Sequence, residues 1–345
     1  MIEKTQELLS LLSKNFFKLE IQGFTVCVNA LTISINTFPT NSNILLQRTG
    51  TGKSELLRCL AKSNKKYFFV LPERLYESSI LEFNEEVFRN KVWIHDDLIV
   101  AFHGLTTKQR QQLMGFFVEF LSQGKYIRKE KGKEYEIRGR VSCIFPLSSE
   151  NYAQYGRQLF YATLVPERLV PIGFEFKAED MAKAGALRLE KEENDNRKDI
   201  KIKLPFTDEK IDVKLPQKFH KEICHCAMRL QLLCKLSATR GVKYVSNWLK
   251  AHALLNDREY IEKIDLEIFK NVLPCHSEPR ESLEAEIRRF MLNKILEQGS
   301  VSSIDIYRNF REYPGQTIRK VLKNVKRDCP WRTSSKKEII FYLNY

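Results

Sequence analysis

No apolar run in the sequence approaches the ~18 residues that a membrane-crossing helix needs, so a helical membrane protein is excluded. The N-terminal stretch does not read as a secretory leader either. The N-terminal stretch MIEKTQELLSLLSKNFFKLEIQ carries acids near its start and spaces Leu8, Leu9, Leu11, Leu12 and Phe16 along one side of an amphipathic helix. Cysteines at framework spacings are absent: Cys27, Cys59, Cys143, Cys224, Cys226, Cys234, Cys275 and Cys329 fall mostly inside predicted elements, which excludes a disulfide scaffold and fits a reducing cytoplasm. Acidic side chains are in deficit, 43 against 57 Lys and Arg. A net charge of +14 favours contact with a polyanion such as nucleic acid or an acidic membrane face, the alternative being a solvated basic surface. At 345 residues, 43% of them hydrophobic, the chain is long enough for two or three domains with a core in each.

The most informative stretch is Asn43–Arg58, NILLQRTGTGKSELLR, which reads as a buried strand, a glycine-bearing loop and a helix start. That order builds a phosphate cradle. Arg48, Thr49, Gly50, Thr51 and Gly52 form a loop whose glycines let main-chain N–H groups approach an anion. Lys53 adds a mobile charge, the Ser54 hydroxyl can hold Mg²⁺, and Glu55 continues the helix. The ligand implied is a nucleoside triphosphate. The first glycine of the G-x-x-x-x-G-K-[ST] pattern is missing, because Gln47 occupies its place, and nucleotide affinity is the property this touches.

Around this motif the sequence alternates strands and helices. Gly23 to Ile35 is β-branched and strand-like, 54–62 is helical, Lys66–Pro72 is a short buried strand and Ser78–Arg89 a helix. The strand Val92-Trp93-Ile94-His95-Asp96-Asp97 ends in two carboxylates, placing Asp96 to orient the Mg²⁺ water shell and Asp97 to polarise the attacking water. Thr106 caps a helix to Leu121, and the densely basic Lys125–Arg140 reads as a hairpin turning near Lys131-Gly132. Val141–Pro146 is a strand leading to Ser148, Ser149 and Asn151, polar groups at a strand tip. A helix over Tyr155–Arg168 and a strand over Leu169–Phe176 complete the core. Five such strands imply a parallel α/β sheet with helices on both faces.

The expected divisions are a core with its helical lead-in at 1–176, a charged connector and hairpin at 177–216, three helices within 217–274, and a C-terminal unit at 275–345. The last reads helix, short strand, helix, turn, helix, hairpin, the order of a winged helix-turn-helix. Its helix Gln316–Arg327 sets Arg319, Lys320, Lys323, Lys326 and Arg327 apart from Ile318, Val321, Leu322 and Val325. Such a helix can lie in a DNA major groove, with Arg332, Lys336 and Lys337 in the wing beside it, while Arg128 and Lys129 make the core hairpin a rival surface. A protein contact is the alternative use of the module. His220 and Cys224 stand i,i+4, but His225 and Cys226 point around other faces, which favours packed cysteines over a metal site.

In this order the elements resemble the AAA+ ATPase family over roughly residues 20–271, and Ser237–Phe269 is most similar to the lids of its MoxR and MCM branch. The resemblance implies ATP and Mg²⁺ as cofactors, an all-helical lid and a homo-oligomeric ring or filament. It also implies that Arg240 is the sensor-2 arginine, that Arg168 is a finger reaching a neighbour's nucleotide, and that Ser148 stands in for the sensor-1 polar residue. Asp97 replaces the more usual glutamate, and a carboxylate set back by about 1.5 Å can cost ~10²-fold in rate. The function expected is ATP hydrolysis in replication, transposition or another mobile-element process, with a MoxR-like protein remodeller or an ATP-switched transcription regulator as rivals.

Overall fold

The computed structural model describes residues 3–16, 18–47, 52–102, 104–130, 133–148, 167–173, 180, 182–183, 185–186, 189, 200–234, 236–277, 283–328, 332–334 and 338–342. The expected helix before Arg168 lies outside these residues, as do Ser149, Asn151, Lys336 and Lys337.

Alternating apolar residues build the sheet. β1 (Ser42–Gln47) sends Ile44 and Leu46 to one face and Leu45 to the other, the two-residue period of a strand covered on both sides. With β2 (Phe68–Val70), β3 (Arg89–Ile94), β6 (Arg140–Ser148) and β7 (Leu169–Gly173) it forms a parallel sheet in the order β2-β3-β6-β1-β7. Helices cover both faces, as expected. On one face Trp93 stacks with Phe116 and Phe120 of α6 (Thr107–Gln123), and its indole N–H donates to Val87 O at 2.8 Å. Thr106 caps α6 through a capping box with Gln109. The hairpin of β4 (Lys125–Glu130) and β5 (Lys133–Arg138) follows, and Gly139 then passes so near Phe88 that a Cβ would lie 2.2 Å from its carbonyl oxygen.

The other face holds α1 (Glu3–Asn15), α2 (Glu20–Leu31), α3 (Lys53–Ser63) and the three expected helices α7 (His220–Cys234), α8 (Ala238–Leu255) and α9 (Lys263–Val272). The strand expected at Gly23–Ile35 is largely α2. Its residues from Gly23 to Leu31 are all buried, and a helix buried all round shows neither a two- nor a 3.6-residue period. Gly23 lies close to Leu12 and Leu56, which lets α2 seat between its neighbours. The helix expected over Ser78–Arg89 divides into α4 (Glu77–Leu81) and a 3₁₀ turn (Glu85–Phe88). Asn84 breaks it by accepting from Glu86 N–H. Residues 200–215 form no hairpin; this segment is irregular and tied to the rest by isolated bridges, Ile35 to Ile211 and Lys214 to Tyr260, and by hydrogen bonds such as Asn64 Nδ2 to Ile202 O at 2.7 Å.

The C-terminal unit comprises α10 (Leu283–Gln298), β8 (Ser300–Ser302), α11 (Ser303–Asn309), α12 (Gly315–Asp328), β9 (Arg332–Ser334) and β10 (Ile339–Tyr342), with an antiparallel sheet β8-β10-β9. It does not stand apart. Ile287, Met291, Leu292 and Ile295 join the hydrophobic cluster of α2 and α7–α9, and the buried Arg288 donates to Leu232 O at 2.8 Å. Among the described residues no helix is long and apolar enough to cross a membrane.

Candidate functional site

The loop expected to bind phosphate joins β1 to α3. Arg48, Thr49, Gly50 and Thr51 lie outside the described residues, but its far end is described: Gly52 caps α3 at φ +88°, a conformation in which a Cβ is strained. Lys53, only 8% exposed, and the half-buried Ser54 and Glu55 then open an 11-residue helix, whose dipole favours an anion at this end.

Topology brings three further groups to this end of the sheet. β6 lies between β1 and β3, and Ser148 is the register partner of Gln47, the last residue before the loop. Past the end of β3 the Ser54 hydroxyl donates to Asp96 O at 3.3 Å, while the exposed Asp96 carboxylate faces Arg58 at 3.5 Å. Ser54 Oγ thus meets the main-chain oxygen of Asp96 beside the helix start, while the carboxylate of the same residue turns to Arg58; hydroxyl and carboxylate are both hard oxygen donors of the kind that suits Mg²⁺. Asp97 is half-buried, and its carbonyl receives the N–H of Val100 at 3.1 Å as α5 (Leu98–Phe102) begins.

His95 had no role in the sequence reading. Buried between the strand tips, it accepts the Asp97 N–H at Nδ1 (3.0 Å), so its proton sits on Nε2 and is donated to Pro72 O (3.0 Å) and Glu73 O (3.2 Å). It fixes the backbone that carries Asp97. The only sequence signal was its place directly before two aspartates.

Arg168 and Arg240 lie together, but at the opposite end of the sheet. Glu167 Oε2 is 3.4 Å from Arg168 Nη1 and 3.2 Å from Arg240 Nε, and Arg168 Nε donates to Ser122 Oγ at 2.8 Å. Both line a small recess with Lys243 and Ser42, the residue that opens β1. The loop leaves the other end of this six-residue strand, roughly 17 Å away at about 3.3 Å per residue. Neither arginine is placed to reach its own chain's loop. Glu167 thus holds both guanidinium groups. Burial, with Arg240 next to it, lowers the Arg168 pKa.

The two basic surfaces differ. In the hairpin Arg128 pairs with the buried Glu77, which also accepts from Tyr126; Lys129 pairs with Glu134 at 3.2 Å and Lys125 with Glu136 at 2.9 Å. Its cations are largely matched by nearby acids. On α12, Arg319, Lys320, Lys323 and Arg327 are exposed and Lys326 half-exposed, within an arc of roughly 120° at about 100° per residue. Ile318, Leu322 and Val325 are buried on the opposite side, and Arg332 lies half-exposed on β9.

His220 and Cys224 are exposed, Cys226 is buried, and no group of three His, Cys, Asp or Glu side chains suited to a metal occurs among the described residues. Compared with known protein families and with curated proteins, the chain matches none.

Proposed function

We propose that the chain is a DNA-associated AAA+ ATPase that binds and hydrolyses ATP with Mg²⁺ between subunits. The observation carrying this reading is the strand order: β6, ending in Ser148, lies between the strand that feeds the loop and the strand that leads to Asp96 and Asp97. In this reading Gly52 and the N-terminus of α3 hold the phosphates, Lys53 neutralises charge, Ser54 and Asp96 hold Mg²⁺, and Asp97 polarises water. Arg168 and Arg240, remote from their own loop, serve a neighbour's nucleotide, which makes a ring or filament the working form. Helices α7–α9 are the lid. The C-terminal unit is a winged helix whose α12 enters the major groove.

A second reading, a protein-remodelling ATPase, draws on Ile304 and Tyr307 of α11, which are 40% and 37% exposed in the same C-terminal unit. ATP turnover with and without duplex DNA separates the two. The DNA reading expects stimulation in the parent protein and no ATP binding or turnover in Lys53→Ala. Unchanged ATP affinity and rate in that variant refute the phosphate-loop assignment itself.

A further inference from the structure

A groove of about 410 Å³ opens beside the loop and belongs to none of the groups described above. Its volume falls in the range of small-molecule sites, about 300–1,000 Å³. Two observations fix its place. Gly173 at its edge is the register partner of Leu46, one residue before the end of β1. Lys18 and Glu20, also in its lining, flank Leu19, whose Cδ1 lies 3.7 Å from where a Cβ on Gly52 would sit. The groove therefore starts where the phosphate cradle ends.

Its walls come from distant parts of the chain. Ile21 and Gln22 of α2 form one side, and Pro274 lies at the end of the lid helices. Arg289, Leu292 and Asn293 of α10 form the other side. Ile21, Pro274 and Leu292 offer apolar surface to a flat ring, while the amides of Gln22 and Asn293 can both donate and accept at a ring edge. The Arg289 guanidinium donates from Nε and Nη2 to Ser277 Oγ at 2.9 and 2.6 Å, which anchors the side chain. Burial lowers its pKa to about 10, so it stays charged at neutral pH, and a held guanidinium plane can stack on an aromatic base.

We propose that this groove receives the base and ribose of the nucleotide, so that α10, the first helix of the C-terminal unit, walls the nucleotide site. The inference rests on the phosphate-loop reading. It makes ATP a direct link between the sheet and the unit that carries α12, because α10 also packs on α12 and Glu284 Oε2 accepts from Asn324 Nδ2 at 3.3 Å. Nucleotide and DNA then alter each other's affinity by the same factor.

The test uses the full chain and two probes, Mg·ATP and Mg·tripolyphosphate, the second lacking base and ribose. Asn293→Trp and Ile21→Trp fill the groove from opposite walls at exposed positions, so the fold should tolerate both. By titration calorimetry each variant should bind ATP at least about tenfold more weakly, with tripolyphosphate affinity within about twofold of the parent. Amide exchange over residues 289–293 should slow with ATP and not with tripolyphosphate. Parent-like ATP affinity in both variants overturns the inference, and so does an equal loss of both probes, which places the effect in the loop. If Lys53→Ala loses both probes while the groove variants bind ATP normally, the loop reading stands and the groove assignment falls. If the parent binds neither probe, both fall.

Discussion

Asp97 is where a single methylene is expected to set the rate. Its backbone is fixed by the hydrogen bond to His95, so a shorter side chain cannot be compensated by moving the main chain toward the water. Asp97→Glu should hydrolyse ATP at least as fast as the parent, up to about 10²-fold faster if misplacement is the whole deficit. Asp97→Asn should bind ATP and stall, and full turnover by that variant in a steady-state assay would move the base elsewhere. A pH-sensitive group is built into the fold at His276. Its Nδ1 donates to Val272 O at 3.2 Å, and Nε2 accepts from Tyr244, whose oxygen itself accepts from Asn29 and Asn43. Burial pushes the His276 pKa from 6.5 down to about 4. The unfolded chain therefore takes up a proton at a higher pH than the folded one. Stability is full above the unfolded value and lost as pH falls from about 6.5 to about 4, by on the order of 3 kcal/mol in total. Urea unfolding from about pH 7 to about pH 4 should show this loss, and His276→Gln should flatten it.

Among the elements, α12 and the β4–β5 hairpin divide the basic surplus unequally. Both carry lysine and arginine, but the hairpin's charges meet Glu77, Glu134 and Glu136, whereas those of α12 face outward from a buried apolar side. Charge already matched locally releases few counterions from DNA. Replacing Arg319, Lys320 and Lys323 by alanine should weaken duplex binding and reduce the slope of log K against log salt by up to about 2.7, at about 0.9 per phosphate contact. ATP turnover without DNA should stay unchanged. Neutralising Arg128 and Lys129 should leave the slope alone, and the reverse result assigns DNA to the hairpin. Helices α8 and α9 are held by a different kind of contact. Asp265 accepts from Arg258 at 2.9 and 2.5 Å and lies 2.5 Å from His252 Nδ1, while His252 Nε2 meets Thr5 of α1 at 2.9 Å. Burial would raise the Asp265 pKa, and the hydrogen bonds from His252 and Arg258 outweigh it and hold the carboxylate charged. All three side chains of this Thr-His-Asp chain are buried, and it joins α1 to α8 and α9.

For the whole molecule, the separation of loop and arginines across the sheet is the feature that, under the proposed ATPase reading, calls for a second copy. In the proposed ATPase, a subunit with an intact Lys53 loop would take Arg168 and Arg240 from its neighbour. Mixing Arg168→Ala with Lys53→Ala protein should then restore part of the ATPase activity that neither variant has alone, because some interfaces combine an intact loop with an intact arginine. Assembly without recovery, checked by light scattering on the same mixture, would leave Arg168 as a structural partner of Glu167. The continuous core from α2 through α7–α9 to α10 adds a constraint: the C-terminal unit is packed on these helices rather than merely tethered to them.

The sequence by itself determined what local chemistry can specify. The strand-loop-helix at Asn43–Arg58, the capped α6, the hairpin at 125–138 and the α-β order of the C-terminal unit were legible because period, caps and turn residues act within a few positions of each other. It misassigned α2, where burial on every side erases the period, and residues 200–215, whose apolar positions pack against other elements instead of pairing with each other. Within the candidate site, Gly52, Lys53, Ser54, Asp96 and Asp97 were legible as motifs. Only the tertiary structure decided that β6 inserts between β1 and β3 and brings Ser148 to them, that His95 holds Asp97, and that Glu167 gathers Arg168 and Arg240 at the far end of the sheet. The same holds for the groove walled by α2 and α10, about 270 residues apart in the chain. Such pairings depend on which strands become neighbours, and strand adjacency is set by long-range burial that no local period encodes.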